Sequence, residues 1–279
     1  ADRYKDIVFE IEDGVGYLHF DFYNGAMGTE ACRRLKEVFE EAAASPAKVL
    51  VLMGGPDHWS NGLNLNLIET ASSPAEESWR NIQAIDDLAE AIIRTTDKWI
   101  ISALRGNAGA GGVFLARAAD EVWVRPQTIL NPHYKDMGNL YGSEYWTYLL
   151  PKRVGEEKAQ AITQNRLPIG AIEARELGLI DLTFGNKQFL GELIKTVKNI
   201  TANHDFEEFL GAKQQQRQQD EATKPLQSYR DEELAKMKLN FYGFDPSYHV
   251  ARYHFVYKLP KSRTPSYLAQ HRKAGFKYS

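Results

Sequence analysis

The sequence predicts an α/β core of strand–strand–helix units followed by a helical extension. Three observations carry this. Two short apolar runs, residues 48–53 and 99–104, each end in a glycine-bearing turn, as buried strands do. Between them lies a long helical pattern announced by Ser73-Pro74-Ala75-Glu76. Beyond Gly185 the strand signals stop and helical periodicity takes over. The expected division is a core at 1–185 and a helical extension at 186–279 that packs on it.

In chain order, residues 7–20 read as two short strands joined at Asp13-Gly14, a hairpin turn signal. A helix starts near Thr29 and turns Leu35, Val38, Phe39 and Ala42 to one side. Cys32, the single cysteine, sits on that helix, so no internal disulfide can form and packing is a better account of it than nucleophilic use. The strand at 48–53 runs into Gly54-Gly55-Pro56-Asp57-His58-Trp59-Ser60-Asn61-Gly62-Leu63. In the next helix Ser73 is the expected cap, Pro74 the first residue and Glu76 the closing member of a capping box. Trp79, Ile82, Ile85, Leu88, Ala89, Ile92 and Ile93 form its apolar face. Strands at 99–104 and 121–125 flank a second glycine turn. In the extension, Phe189, Leu190, Leu193, Ile194, Val197 and Ile200 define an amphipathic helix. The polar run 214–219 is either a solvated helix or a linker. Asp245-Pro246 reads as a cap and first helical residue, and Tyr248, Tyr253, Phe255 and Tyr257 are expected to fold the extension back on the core.

The second glycine turn, Gly106-Asn107-Ala108-Gly109-Ala110-Gly111-Gly112, joins a strand to a helix start. N–H groups at such a start point outward with partial positive charge and can hold an anion or a developing oxyanion. A tight packing turn is the competing account. Phe114 stands where a dinucleotide fingerprint needs its third glycine, and no Gly-Lys-Ser/Thr of a P-loop follows. The earlier turn at 54–63 ends a second buried strand, so two N–H groups could converge on one carbonyl oxygen.

Three segments carry a family resemblance: Ser60-Asn61-Gly62-Leu63-Asn64-Leu65, the stretch Gly106 to Asp120, and Leu167 to Asp181. In order and spacing they resemble the signatures of the crotonase (enoyl-CoA hydratase/isomerase) superfamily. The resemblance implies a spiral ββα core, a coenzyme A thioester ligand, and an oxyanion hole made by the N–H groups of Leu63 and Gly111. It places Asn61 and Gly62 at the substrate pocket. Hydratase members carry one catalytic glutamate where this chain has Phe114 and another near His133, so addition of water is not expected here.

The region from Ile129 to Trp146 is dense in polar and titratable groups. A helix beginning at Gly142 or Ser143 would carry Glu144 in its first turn, where the helix dipole favours the carboxylate and an apolar pocket opposes it. Tyr134 and Glu144 are the preferred polar pair, with His133 as a third member and Asn131, Phe114 and Trp146 lining the pocket. A solvated helix-start glutamate beside a half-buried tyrosine is the plainer alternative.

A second resemblance lies in Ser228 to Met237, Asn240 to Gly243 and Tyr248 to Lys258, which look like the tail of the HypX/HoxX family of hydrogenase maturation factors. Members join a formyl-tetrahydrofolate-binding N-terminal domain to a crotonase-like domain and supply carbon monoxide to [NiFe] hydrogenase. The start at Ala1-Asp2-Arg3-Tyr4 then suggests the C-terminal part of a longer protein. The resemblance implies a crotonase-fold lyase that releases carbon monoxide from formyl-CoA, with the hydrogenase maturation machinery as partner. Two other readings stay open: a different acyl-CoA lyase, hydrolase or decarboxylase, and a non-catalytic CoA-binding module.

Composition bounds the rest. A chain of 279 residues can bury one sizeable core plus an appendage. Its net charge of -3 offers no general field for nucleic acid or an anionic membrane. No apolar run is long enough to span a bilayer and no leader is evident, so a cytoplasmic location is expected. The seven histidines are scattered, and no zinc spacing or nucleophile elbow occurs, so no metal is expected.

Overall fold

The computed structural model describes residues 5–185 and 188–260; the start of the chain and the last part of the extension lie outside them. The opening hairpin is β1 (Ile7–Glu12) and β2 (Val15–Phe20), followed by α1 (Thr29–Ala44). Then come β3 (Val49–Met53), β4 (His58–Ser60), α2 (Leu65–Thr70) and α3 (Pro74–Arg94). Next are β5 (Trp99–Leu104), β6 (Asn107–Gly109) and α4 (Gly111–Arg117), then β7 (Glu121–Val124), β8 (Ile129–Asn131) and α5 (Trp146–Val154). After the opening hairpin, each strand–strand–helix unit places its first strand in one sheet and its second in another. The six-stranded sheet has the order β1-β2-β3-β5-β7-β10, and the four-stranded sheet β4-β6-β8-β9, with β9 (Ile169–Gly170) and β10 (Leu182–Thr183) contributed later. β3, β5 and β7 are parallel neighbours, as are β4, β6 and β8.

This topology explains why β3 is apolar throughout. Its residues are buried on both faces, as parallel strands covered by helices on either side must be. Leu18, Leu50, Leu52, Ile100 and Leu104 face α1, α3 and α4. Val49, Val51, Ile101, Ala103 and Trp123 face Phe189, Leu193 and Val197 of α8 (Phe189–Thr201) and Phe206 and Leu210 of α9 (Phe206–Thr223). Helices α6 (Glu156–Gln164) and α7 (Ala171–Glu176) complete the core.

The polar run at 214–219 is helical, within α9. Lys213 at its head donates to Asp120 at 2.6 Å and to the Lys98 carbonyl at 2.7 Å, pinning the helix beside the starts of β5 and β7. Helix α10 (Leu226–Tyr242) crosses α3, where Arg230 pairs with Asp87 at 2.6 Å and Glu90 at 3.0 Å. Helix α11 (Ser247–Val256) docks on α2 through Arg252 and Glu69 at 2.6 Å.

Several local expectations change. Ser73 makes no side-chain cap bond, and Glu76 accepts from Tyr242 of α10 at 2.9 Å instead of closing a capping box. A tertiary partner has taken the carboxylate that the box would use. Pro246 flanks α11 instead of opening it, while Asp245 accepts from Ser247 N at 3.0 Å. Of the four aromatics meant to anchor the extension, only Tyr248 is buried; Tyr253, Phe255 and Tyr257 are exposed on the described surface. Tyr248 shares a hydrogen bond of 2.7 Å with Ser78 of α3, which fixes the face of α11 that turns inward. Cys32 is fully buried, and burial pushes its thiol far up, away from nucleophilic use. Among the described residues no helix is long and apolar enough to cross a membrane.

Candidate active site

The two glycine turns meet. A Cβ built on Gly62 would lie 3.3 Å from Gly111 N, so the end of the first turn abuts the start of α4. Among the described residues neither Leu63 N nor Gly111 N donates to a protein acceptor. Gly111 is the first residue of α4, where N–H groups have no intrahelical partner. Its predecessor Ala110 has φ 47 and ψ −128, a region that costs a non-glycine residue roughly 1–3 kcal/mol. The Ala110 N–H donates to the Asn131 carbonyl at 2.8 Å, which holds this conformation. Asn131 therefore acts through its backbone. Asn61 is exposed, and its side chain donates to the Asn24 carbonyl at 2.8 Å, tying the first turn to the loop after β2.

Facing Gly111 is Glu144. A Cβ on Gly111 would overlap its carboxyl group, with Oε2 only 2.9 Å away. Only glycine admits the carboxyl at that distance. Tyr134 donates to Glu144 Oε2 at 2.6 Å, and the Ser143 N–H donates to the same oxygen at 3.2 Å. The Tyr134 ring lies on Gly142, where any side chain would overlap it and where φ is +93. Phe114, fully buried, stacks on Tyr134 at 5.5 Å and meets Trp146 at 6.3 Å. The result is a polar pair sealed by aromatic rings, with Glu144 1% exposed.

Glu144 is not in the first turn of a helix. The helix begins at Trp146, and Glu144 and Tyr145 both hold φ 59 in the left-handed region. Two such residues in succession cost roughly 1–3 kcal/mol each. The helix dipole therefore does not act on Glu144 as it would on a first-turn carboxylate. Burial and the neighbouring Asp86 push its pKa up to about 8. Tyr134 rises well above its ordinary value through burial and the same carboxyl. His133 is buried, and burial lowers its pKa. Its Nδ1 has no hydrogen-bond partner among the described residues, and the Tyr134–Glu144 pair forms without it.

The turn after Glu144 is held by two acids that sequence reasoning missed. Asp86 of α3 accepts from the Glu144 N–H at 2.8 Å and from the Ser143 hydroxyl at 2.7 Å. Glu233 of α10 accepts from Tyr145 N at 3.0 Å, Thr147 N at 2.8 Å and the Thr147 hydroxyl at 2.5 Å. Ser143 Oγ also lies 3.3 Å from Glu233. Both acids are fully buried. Burial raises Asp86 to about 7, against the Ser143 hydrogen bond and Arg230, and raises Glu233 to about 8 with help from Asp86. Each carried a signal. Asp86 lies on the stripe of Ile82, Ala89 and Ile93, and Glu233 on that of Leu226, Met237 and Phe241; an acid on an apolar stripe is a buried acid.

A surface hollow of about 420 Å³ borders the first turn, with Phe22, Ala26, Asn64 and Leu67 in its wall. Its arginines are paired, Arg33 with Glu30, Arg34 with Asp6 and Arg80 with Glu77. No group of three or more His, Cys, Asp or Glu among the described residues is arranged to hold a metal ion.

Comparison with known proteins gives the family and the fold. The enoyl-CoA hydratase/isomerase family model matches residues 10–241. The chain is 59% identical over 270 residues to the hydrogenase maturation factor HoxX of Bradyrhizobium diazoefficiens, covering 96% of this chain and 48% of that protein. It superimposes on HypX from Aquifex aeolicus, solved with tetrahydrofolic acid, with a TM-score of 0.95 and 54% identity over 99% of this chain and 49% of that one. The chain thus spans about half the length of these relatives. An enoyl-CoA hydratase from Bacillus halodurans shares the fold at a TM-score of 0.78 and 18% identity, covering 89% of this chain and 99% of its own. The chain has the crotonase fold with a helical C-terminal region and belongs to the enoyl-CoA hydratase/isomerase family.

Proposed function

We propose that this chain is a crotonase-fold lyase domain that releases carbon monoxide and coenzyme A from formyl-CoA. The observation that carries the reading is the Tyr134–Glu144 pair at 2.6 Å, sealed against Gly111 where the hydratase chemistry would need a carboxylate at Phe114. The site fits a thioester carbonyl: two N–H groups without protein acceptors among the described residues stand at adjoining turns, and the missing side chain at Gly111 lets the Glu144 carboxyl lie against it. Leu63 N and Gly111 N would hold the formyl oxygen. Glu144, as carboxylate, accepts the formyl proton, and the electron pair of that C–H bond stays on carbon as the C–S bond breaks. Tyr134 donates its proton to the departing sulfur and is reprotonated by Glu144, so the net change moves one proton from carbon to sulfur. Phe114 and Trp146 exclude the water that would otherwise yield formate.

Similarity to proteins named as hydrogenase maturation factors supports this assignment and a role in that maturation. The tetrahydrofolic acid in the Aquifex HypX crystal supports a folate carrier as the source of the formyl group; we assign its binding to a domain outside this chain. The test is carbon monoxide release from fresh formyl-CoA, read by the haemoglobin spectrum, beside Glu144→Gln. Carbon monoxide from the wild type and a loss of ~10²-fold or more in the variant is expected. Formate alone, at the uncatalysed rate, would sink the reading.

A further inference from the structure

The Glu144 carboxyl reaches Gly111 only because residues 144 and 145 are left-handed in succession. Nothing in the local sequence favours that conformation, since neither residue is glycine or asparagine. The backbone N–H groups exposed by it go to two side chains from elsewhere: Glu144 N to Asp86, and Tyr145 N and Thr147 N to Glu233. Ser143 Oγ lies between the two acids. Arg230, one turn before Glu233, bonds Asp87 and Glu90 and so fixes α10 on α3 at this level.

We propose that Asp86 and Glu233 are positioning residues that hold the left-handed turn delivering Glu144 to Gly111, so that helix α10 of the C-terminal extension is an integral part of the active centre. This rests on the catalytic role proposed for Glu144. An apolar side chain at 233 would pack equally well beneath the turn but would leave Tyr145 N and Thr147 N without acceptors. A glutamine could still accept from Thr147, but it turns an N–H₂ donor toward the N–H of Tyr145 or Thr147. A carboxyl at 233 offers an accepting oxygen to each of these N–H groups, and its proton, when present, can face Ser143 Oγ at 3.3 Å. Ionised Asp86 also places a negative charge beside Glu144. The other charged or titratable groups around Glu144 are Tyr134, Glu233 of α10 and Cys32 of α1, and those acting on Asp86 are Arg230 of α10, Asp87 of α3 and Tyr145.

The test uses the 279-residue chain carrying ¹³C-carboxyl glutamate, with Glu144 assigned from its missing signal in Glu144→Gln. Asp86→Asn should move the Glu144 titration to lower pH, and Glu233→Gln should shift or broaden that signal. Both should lower kcat by ~10²-fold, the usual result of misplacing a reacting group by about 1 Å, with KM changed only a few-fold. Glu233→Asp should recover part of the loss. Circular dichroism establishes that each variant is folded; if either is not, Ser143→Ala, which removes only the bridging hydroxyl, decides by the same readouts. Folded variants with an unchanged Glu144 titration and unchanged kcat would overturn the proposal. Should the wild type turn over no formyl-CoA, the functional assignment fails, and the titration arm still decides whether these acids set Glu144.

Discussion

Replacing Gly111 by alanine tests the geometry of the centre with a single methyl group. The added carbon would overlap the Glu144 carboxyl. Ordinary contact needs roughly 3.5 Å, so the nearer oxygen must withdraw by more than about 1 Å. Gly111 opens α4, and alanine favours a helix over glycine by up to ~1 kcal/mol, so the local helix is not the weak point. The expected loss is in position: ~10²-fold in kcat for a shift of that size. Carbon monoxide release from formyl-CoA is the assay, with CoA affinity measured in parallel by calorimetry and expected to change little. The double variant Gly111→Ala/Glu144→Gln separates cause from coincidence. If the methyl acts by displacing Glu144, it should cost less than about threefold once Glu144 is already gone, because two changes in one contact do not add. Full activity of Gly111→Ala, or losses that multiply in the double variant, would refute the reasoning.

Other outcomes follow from the same geometry. Tyr134→Phe should lower turnover by ~10²-fold or more and leave Glu144 without its 2.6 Å donor, costing roughly 1–3 kcal/mol in chemical denaturation. Phe114→Ala removes a fully buried ring. It should cost about 3–5 kcal/mol and raise the formate-to-carbon-monoxide ratio as water enters, which product analysis would detect. Activity should climb with pH toward a plateau above about 8, as Glu144 loses the proton that burial and Asp86 help it keep; a flat profile from pH 6 to 9 would remove Glu144 as the base. Asp86 also links stability to pH. Its folded pKa of about 7 lies above its ordinary 3.8, so the folded state binds the extra proton between those values. Stability from this group is therefore greatest at low pH and is lost as pH rises to about 7, by up to ~1.4 kcal/mol per unit. The stability difference between wild type and Asp86→Asn, from urea titrations at pH 5 and 7, should fall accordingly.

Much of the fold was legible because it depends on local chemistry. Continuous apolar runs such as Val49 to Met53 can be satisfied only by a strand covered on both faces, and the turns after them had to be glycine-bearing. The glycines after the apolar runs likewise marked the two turns that adjoin at Gly62 and Gly111, and the polar cluster before Trp146 marked Tyr134 and Glu144 as a pair. Local rules failed where a distant partner changed the outcome. Glu76 looked like a capping residue and serves Tyr242; Glu144 looked like a helix-start carboxylate and sits in a left-handed turn before the helix.

The sequence alone therefore determined which segments become buried strands, which turns expose backbone donors, and which titratable side chains lie near them. The tertiary structure decided what those side chains are. It set the backbone of Glu144 through Asp86 of α3 and Glu233 of α10, acids 58 and 89 residues away along the chain, and it raised their pKa values by enclosing them together. Conformation at a strained residue and proton affinity in a buried one both depend on what surrounds them in space, and neighbours in sequence carry little of that information.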